Sequence, residues 1–363
     1  MSGPVLIMAG GTGGHIFPGL AVAQALRARG VPVAWLGNPA GMEGRVVPPT
    51  GIPMEYVSIG GLRGKGLATK LLAPIRICST IVQCLGIIRR LRPRAVLGMG
   101  GYVTGPGGVA AWLSRRPLVI HEQNAVAGMT NKILSRFATD ILEAFPGSFP
   151  APSRARPIGN PVRLEISELE EPATRMAGRS GRLRLLVFGG SQGALKLNET
   201  VPAALALMPT AARPEVLHQA GGATLDIARA AYTEAGVEAE ITPFIDDMAA
   251  AYGWADIAIC RSGALTVSEL AAAGLGSVLV PFPAAVDDHQ TRNADYLVDA
   301  GAAALIQETD LDTRGLAARL EAFAADREQL VKMASAARGQ ARPAALDELA
   351  TTCLEAARNG AGA

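Results

Sequence analysis

Val5-Leu6-Ile7-Met8-Ala9-Gly10-Gly11-Thr12-Gly13-Gly14-His15 reads as a short buried strand running into a glycine turn, with a helix-like stretch over residues 20–29 behind it. The same unit returns at residues 183–188, followed by Gly189-Gly190-Ser191-Gln192-Gly193-Ala194 and another helical stretch. Both halves of the chain thus open on a strand, a glycine turn carrying a hydroxyl residue (Thr12, Ser191) and a helix. Further strand runs alternate with helical stretches: 31–36, 95–97 and 118–120 in the first half, then 215–218, 257–260 and 278–280 in the second. That alternation predicts α/β architecture, with two doubly wound parallel sheets and crossover helices. The boundary is expected at Pro157-Ile158-Gly159-Asn160-Pro161, where proline and glycine cluster. The expected organisation is a first domain over 1–158, a linker over 159–182, a second domain over 183–340, and a C-terminal amphipathic helix and tail over 341–363.

A length of 363 residues fits about two domains. With 49% hydrophobic and 18% charged residues the chain can build sizeable cores. A net charge of +2 excludes a globally polybasic nucleic-acid binder. The 4 cysteines form no C-x-x-C pair and the 4 histidines have no zinc-ligand spacing, so neither a disulfide scaffold nor a metal site is expected, and a reducing compartment fits. The opening residues lack the basic region of a signal peptide. Residues 77–88 are apolar but span only 12 positions, against about 20 for a bilayer core.

A glycine turn between strand and helix brings backbone N–H groups to the positive end of the helix dipole, a setting for phosphate or diphosphate. Neither turn is a P-loop, because G-x-x-x-x-G-K-[ST] is absent. A dinucleotide-dependent oxidoreductase is disfavoured too: Ile16 stands where G-x-G-x-x-G needs glycine, and Gly37-Asn38 ends the second strand without a carboxylate for a ribose. A third strand–turn–helix lies at 256–274. There Arg261-Ser262-Gly263 precedes Ala264-Leu265-Thr266-Val267-Ser268-Glu269, and Gly274 stops the helix. A glutamate there can accept two hydrogen bonds from a ribose diol while the helix start faces a diphosphate. Gln290, in the polar cluster 287–293 after the next strand, suits sugar hydroxyls.

Taken in order, Gly10–His15, Gly100-Gly101-Tyr102, His121-Glu122-Gln123-Asn124, Gly159-Asn160-Pro161-Val162-Arg163, Gly189–Gly193 and Ala264–Glu269 closely resemble the MurG family of bacterial glycosyltransferases, family 28, over nearly the whole chain. The resemblance implies a GT-B fold, two Rossmann-like domains facing across a cleft. It implies inverting transfer of GlcNAc from UDP-GlcNAc to the C4 hydroxyl of the muramyl unit of undecaprenyl-diphospho-MurNAc-pentapeptide (lipid I), without a cofactor. Carried over residue by residue, Thr12, Gly13 and Gly14 approach donor sugar and diphosphate, and Asn124 the GlcNAc. Arg163 and Ser191 contact nucleotide or phosphates, and Ile245 contacts uracil through its backbone. Ala264, Leu265, Thr266, Val267, Ser268 and Glu269 hold diphosphate and ribose, and Gln290 holds the GlcNAc hydroxyls. His289-Gln290 departs from the paired glutamines of some members, which leaves the reader of each hydroxyl open.

A neutral sugar hydroxyl needs a general base. His15 is the first candidate, with Glu122 and His121 as alternatives. Asp310-Leu311-Asp312 spells the D-x-D string of metal-dependent transferases but falls far from either glycine turn, and reads as a surface loop. Residues 56–121 contain no acid and ten bases, namely Arg63, Lys65, Lys70, Arg76, Arg89, Arg90, Arg92, Arg94, Arg115 and Arg116. Leu71, Leu72, Ile75, Ile77, Ile81, Val82, Leu85 and Ile88 interleave with them, as expected of a surface lying on an anionic membrane. Few aromatic residues accompany the bases, which disfavours nucleic acid. The resemblance adds a location at the cytoplasmic face of the inner membrane, and cell-wall and division proteins as partners. A nucleotide-sugar epimerase of similar fold and a non-catalytic membrane-docked binding protein are the competing classes.

Overall fold

The computed structural model describes residues 3–59, 73–190 and 193–359. The chain forms two compact units, one of Met1–Val162 with Pro343–Ala363, the other of Arg163–Arg342.

In the first unit, β1 (Val5–Ala9), β2 (Val33–Gly37), β3 (Met54–Tyr56), β4 (Ala95–Gly100), β5 (Leu118–Glu122), β6 (Asp140–Glu143) and β7 (Arg156–Pro157) make a parallel sheet in the order β3-β2-β1-β4-β5-β6-β7. Every residue of β1, β2, β4 and β5 is buried, so both faces of the sheet are covered. The two-residue period of a strand sorts them into separate cores. Val5, Ile7, Trp35 and Leu97 pack with Ile16, Leu20 and Leu26 of the helix Gly13–Ala28. Leu6, Met8, Leu36 and Val96 pack with Cys84, Ile87 and Ile88 of the helix Ala73–Leu91.

The C-terminal helix Ala345–Asn359, whose docking partner cannot be read from the sequence, closes the first of these faces. Its buried Leu349, Ala350, Cys353, Ala356 and Ala357 repeat at helical spacing against the helix Gly13–Ala28, β4 and β5. Arg29 pairs with Asp347, and Arg94 Nε donates to the Ala357 carbonyl at 3.1 Å.

The second unit repeats the topology. Its strands are β8 (Arg184–Phe188), β9 (Glu215–Gln219), β10 (Glu240–Thr242), β11 (Ile257–Cys260), β12 (Ser277–Leu279) and β13 (Ala303–Leu305), all parallel, in the order β10-β9-β8-β11-β12-β13. In both sheets the chain order reverses beside the first strand, between β1 and β4 and between β8 and β11. The crevice outside the carboxyl ends of those strands is where such sheets bind ligands.

Asp256, buried just before β11, anchors the opposite end of the second sheet. Its carboxylate meets Arg179 at 2.7 Å and Arg327 at 2.6 Å, and accepts the Arg184 backbone N–H at 3.0 Å. Asp256→Ala leaves two part-buried guanidinium groups without this partner and is expected to cost about 3–5 kcal/mol. Urea unfolding of the variant checks it, and an unchanged midpoint contradicts it.

Candidate functional site

In the first unit the helix Gly13–Ala28 begins inside the glycine turn rather than after it. Thr12 is its extended N-cap and makes no side-chain capping bond. The N–H groups of Gly13 and Gly14 belong to the first turn, which no helical carbonyl can satisfy. This is an anion-attracting end. Gly11 takes φ +94°, a backbone suited to glycine.

A residue the sequence does not announce shapes this turn. Glu43, fully buried, accepts the N–H of Gly11 at 3.2 Å, the N–H of Asn38 at 3.1 Å and the Tyr102 hydroxyl at 2.7 Å. One carboxylate thereby ties together the segments after β1, β2 and β4. Burial, then the hydrogen bond and charge of Glu43, hold the Tyr102 phenol well above its ordinary value, so it stays a donor.

His15 lies half-buried on the first turn, with Nδ1 2.9 Å from Gln123 Oε1. A Cβ at Gly100 would stand 2.9 Å from its ring atoms Cε1 and Nδ1. The absence of a side chain there makes room for the imidazole. His121 is buried, with both ring nitrogens engaged: Nε2 lies 2.9 Å from the Gly159 carbonyl and Nδ1 3.0 Å from Gln123 Nε2. Burial pushes its pKa down to about 4.

Glu122 is equally committed. One oxygen accepts the Asn124 N–H at 3.0 Å and its Nδ2 at 3.3 Å, the other the Gly128 N–H at 3.0 Å and Asn131 Nδ2 at 2.9 Å. These bonds fold the loop carrying Asn124 at the carboxyl end of β5. Of the two histidine candidates, only His15 has a ring nitrogen without a partner among the described residues.

In the second unit Ser191 and Gln192 lie outside the described residues. The rest of their turn is braced from β9, where Gln219 Nε2 donates to the Gly190 carbonyl at 3.0 Å. A Cβ at Gly193, which has φ +74°, would meet the Ala220 carbonyl at 2.0 Å. After β11, Asn293 Nδ2 donates to the Ser262 carbonyl at 3.1 Å and steadies the turn into the helix Ala264–Ala273. Val267 N–H already bonds back to the Gly263 carbonyl, so the N–H groups of Leu265 and Thr266 form the open first turn. The other end of this helix is capped by cations. Arg175 donates to the Ala273 and Gly274 carbonyls at 2.6 Å each, and Arg338 to that of Ala272. This arrangement complements the helix dipole and leaves its positive end for an anion.

Glu269 sits on the second turn of that helix. Arg163 donates to one of its oxygens at 3.2 Å, and the buried Tyr252 hydroxyl to the other at 3.1 Å. Burial raises the Glu269 pKa, opposed by the Arg163 charge and the two hydrogen bonds. Each oxygen keeps a lone pair for a further donor. Ile245 lines a 510 Å³ cavity with Thr242, Phe244, Asp247 and Trp254.

Gln290 Oε1 accepts the Phe282 N–H at 2.9 Å, leaving its amide hydrogens as the group that can address a hydroxyl. Arg261 pairs with Glu308, donates to the Val280 and Pro281 carbonyls and stacks 5.4 Å from the Phe282 ring centre, which orders this segment. Asp312 of the D-x-D string is the N-cap of the helix Thr313–Ala325, accepting the Gly315 N–H at 2.9 Å.

The first unit also carries an exposed apolar belt. Ile75 (68% exposed) and Val82 (67%) lie on the outer face of the helix Ala73–Leu91, with Ile77 exposed in its first turns and Arg76 and Arg89 on the same helix. Trp112 and Leu113 end the adjoining helix Thr104–Leu113 next to Arg115 and Arg116, and Met129 and Ile133 continue on the helix Met129–Leu134 with Lys132. Arg63, Lys65, Lys70, Leu71 and Leu72 lie outside the described residues. No described helix is long and apolar enough to cross a membrane.

Residues 5–143 match the glycosyltransferase family 28 N-terminal domain and residues 184–349 its C-terminal domain. The chain is 58% identical over 352 residues to the UDP-N-acetylglucosamine–N-acetylmuramyl-(pentapeptide) pyrophosphoryl-undecaprenol N-acetylglucosamine transferase of Marinobacter nauticus, covering 97% of each chain. It is 57% identical to the protein of the same name from Alkalilimnicola ehrlichii, over 99% of this chain and 100% of that one. Among solved structures, the crystal structure of Acinetobacter baumannii MurG matches with a TM-score of 0.85 and 41% identity, over 97% of this chain and 99% of that one.

Proposed function

We infer the function of this chain from its family: it belongs to the MurG family of family 28 glycosyltransferases. It transfers GlcNAc from UDP-GlcNAc to the C4 hydroxyl of the muramyl unit of lipid I, giving lipid II and UDP in peptidoglycan synthesis. The observation that carries the chemistry is the helix Ala264–Ala273, open at its N-terminus, capped by Arg175 and Arg338 at the other end, with Glu269 held between Arg163 and Tyr252.

In this reading the UDP diphosphate lies on the first-turn N–H groups of Leu265 and Thr266, with Ala264, Val267 and Ser268 completing the contact surface. Glu269 takes the ribose diol, and the backbone at Ile245 takes uracil in its cavity. Arg163 and Ser191 stabilise the negative charge that develops on the leaving diphosphate. Gln290 and Asn124 hold the GlcNAc hydroxyls, while Thr12, Gly13 and Gly14 bring positive helix-end potential to the sugar and diphosphate. His15 removes the proton from the C4 hydroxyl as its oxygen attacks the anomeric carbon and the bond to UDP breaks. One displacement inverts the anomeric centre, giving a β(1→4) link. Anomeric proton couplings of the purified product test this, because an α link would overturn the single displacement and with it the role of His15.

Lipid I is membrane-borne, and the apolar belt with its basic fringe is suited to rest on an anionic leaflet at the cytoplasmic face, each base adding about 1 kcal/mol. Ile75→Glu with Val82→Glu is expected to weaken co-sedimentation with phosphatidylglycerol vesicles at least about tenfold, since burying an aliphatic side chain contributes about 1.5–3 kcal/mol. Both side chains are exposed in the folded unit, so the substitution leaves the core intact. Undiminished binding would remove this surface from the account.

A further inference from the structure

We propose that Gln123 is a positioning residue that holds His15 in the Nδ1–H tautomer and so presents Nε2 as the basic nitrogen. This deepens the assignment of His15 as base and rests on it.

The proton positions follow from the far end of a buried chain of hydrogen bonds. The Gly159 carbonyl can only accept, and it lies 2.9 Å from His121 Nε2, so that nitrogen carries the hydrogen. Burial keeps His121 neutral, with its pKa near 4, which leaves Nδ1 as a lone pair. Gln123 Nε2 stands 3.0 Å from this lone pair and 3.2 Å from the His121 carbonyl oxygen. Both are acceptors, so the amide NH₂ must face them. The flipped amide would set its oxygen against two lone pairs, at about 1–3 kcal/mol for each buried group left unpaired.

The Gln123 oxygen therefore points to His15 Nδ1, 2.9 Å away, and accepts its hydrogen. The tautomer of a histidine is set by the hydrogen bond of its other nitrogen, here an amide oxygen that cannot donate. The Gln123 backbone is itself pinned, since its carbonyl accepts Asn160 Nδ2 at 3.0 Å. Gly100 leaves room for the ring to stand in this register. In the other tautomer the lone pair would face Gln123 and the hydrogen the hydroxyl, and no proton could be taken at Nε2. Wrong-tautomer substitutions beside catalytic histidines cost up to about 10⁴ in kcat.

The chain has only 4 histidines, so ring-¹⁵N NMR of the full-length protein resolves them, and the spectrum of His15→Asn identifies His15 by its loss. The expected result is a protonated Nδ1 and a bare Nε2 for His15 in the wild type. In Gln123→Leu the Nδ1–H preference should be lost and kcat should fall by about 10² or more, with the KM for UDP-GlcNAc unchanged. Gln123→Glu keeps an acceptor towards His15 but turns its other oxygen on the two His121 acceptors, so retention of the Nδ1–H tautomer in this variant despite that local cost separates tautomer control from damage to the loop. A wild-type His15 protonated on Nε2, or a tautomer indifferent to Gln123→Leu, overturns the proposal. If the Nδ1–H tautomer is found but His15→Ala turns over at the wild-type rate, the positioning stands and the assignment of His15 as base fails.

Discussion

Replacing His15 by alanine is expected to lower kcat for acceptor-dependent transfer by about 10²–10⁴, the usual worth of a positioned general base. The acceptor is an alcohol, neutral at working pH, and it becomes an adequate nucleophile only as its proton leaves. His121 and Glu122 cannot substitute, since the first has both nitrogens bonded inside the protein and the second accepts from two backbone N–H groups and two asparagine amides. The proposed nucleotide contacts at Glu269, Arg163 and Ile245 belong to the second unit, and the substitution keeps the Gly13 and Gly14 backbone and the Asn124 side chain, so the dissociation constant of UDP-GlcNAc should change little. Steady-state kinetics with a soluble lipid I analogue, beside calorimetric donor titration, make the separation. A large loss of donor affinity with kcat intact would make His15 a binding residue instead.

Acidification from pH 7 to pH 4.5 is expected to destabilise both units. His121 in the first and His218 in the second are fully buried, and burial pushes each pKa down to about 4. His218 is held neutral between the Tyr232 hydroxyl at 2.9 Å and Asn198 Oδ1 at 3.0 Å. An unfolded histidine titrates near 6.5. Between about 6.5 and 4 the unfolded chain binds a proton that the folded chain refuses, so stability rises with pH across that window. It is complete above 6.5 and lost as pH falls towards 4, at up to about 1.4 kcal/mol per pH unit for each histidine. Over the window this amounts to about 3 kcal/mol per site. Glu269 acts in the opposite sense, because a raised carboxyl pKa means that the folded state holds the extra proton. Urea midpoints measured across this range should fall with acid, and His218→Asn should flatten the dependence of the second unit. A flat profile in the wild type would contradict neutral burial.

The central strands were legible because each is an apolar run ended by glycine or a polar turn, buried on both faces. β1 falls at its expected residues, and β4, β5, β8 and β11 agree within a few positions. The edge strands gave no such signal. β3, β10 and β13 are three residues long and mostly half-exposed, while β7 is Arg156-Pro157, a proline tolerated only where no neighbour needs its N–H. The start of the helix Gly13–Ala28 was hidden because Gly13, Gly14 and Pro18 are poor helix formers, and packing of the apolar face overrides that preference.

The site was legible where it is local and obscure where it is assembled. Strand–glycine–helix spacing exposes His15 and the residues from Ala264 to Glu269. Nothing in the local sequence announces that Glu43 reaches Gly11, Asn38 and Tyr102, or that Tyr252 reaches Glu269, because each contact joins segments that meet only through the sheet order. Glu122 shows the converse: a carboxylate beside a histidine suggests acid–base work, yet folding commits it to four backbone and amide donors.

The most direct test of the whole account is UDP release from UDP-GlcNAc, followed with and without a soluble lipid I analogue in EDTA. The account predicts release only with acceptor, one disaccharide product per UDP, and no dependence on added divalent cation. UDP appearing without acceptor together with ManNAc would contradict it in favour of an epimerase, and donor binding without turnover on a competent acceptor would leave a binding protein.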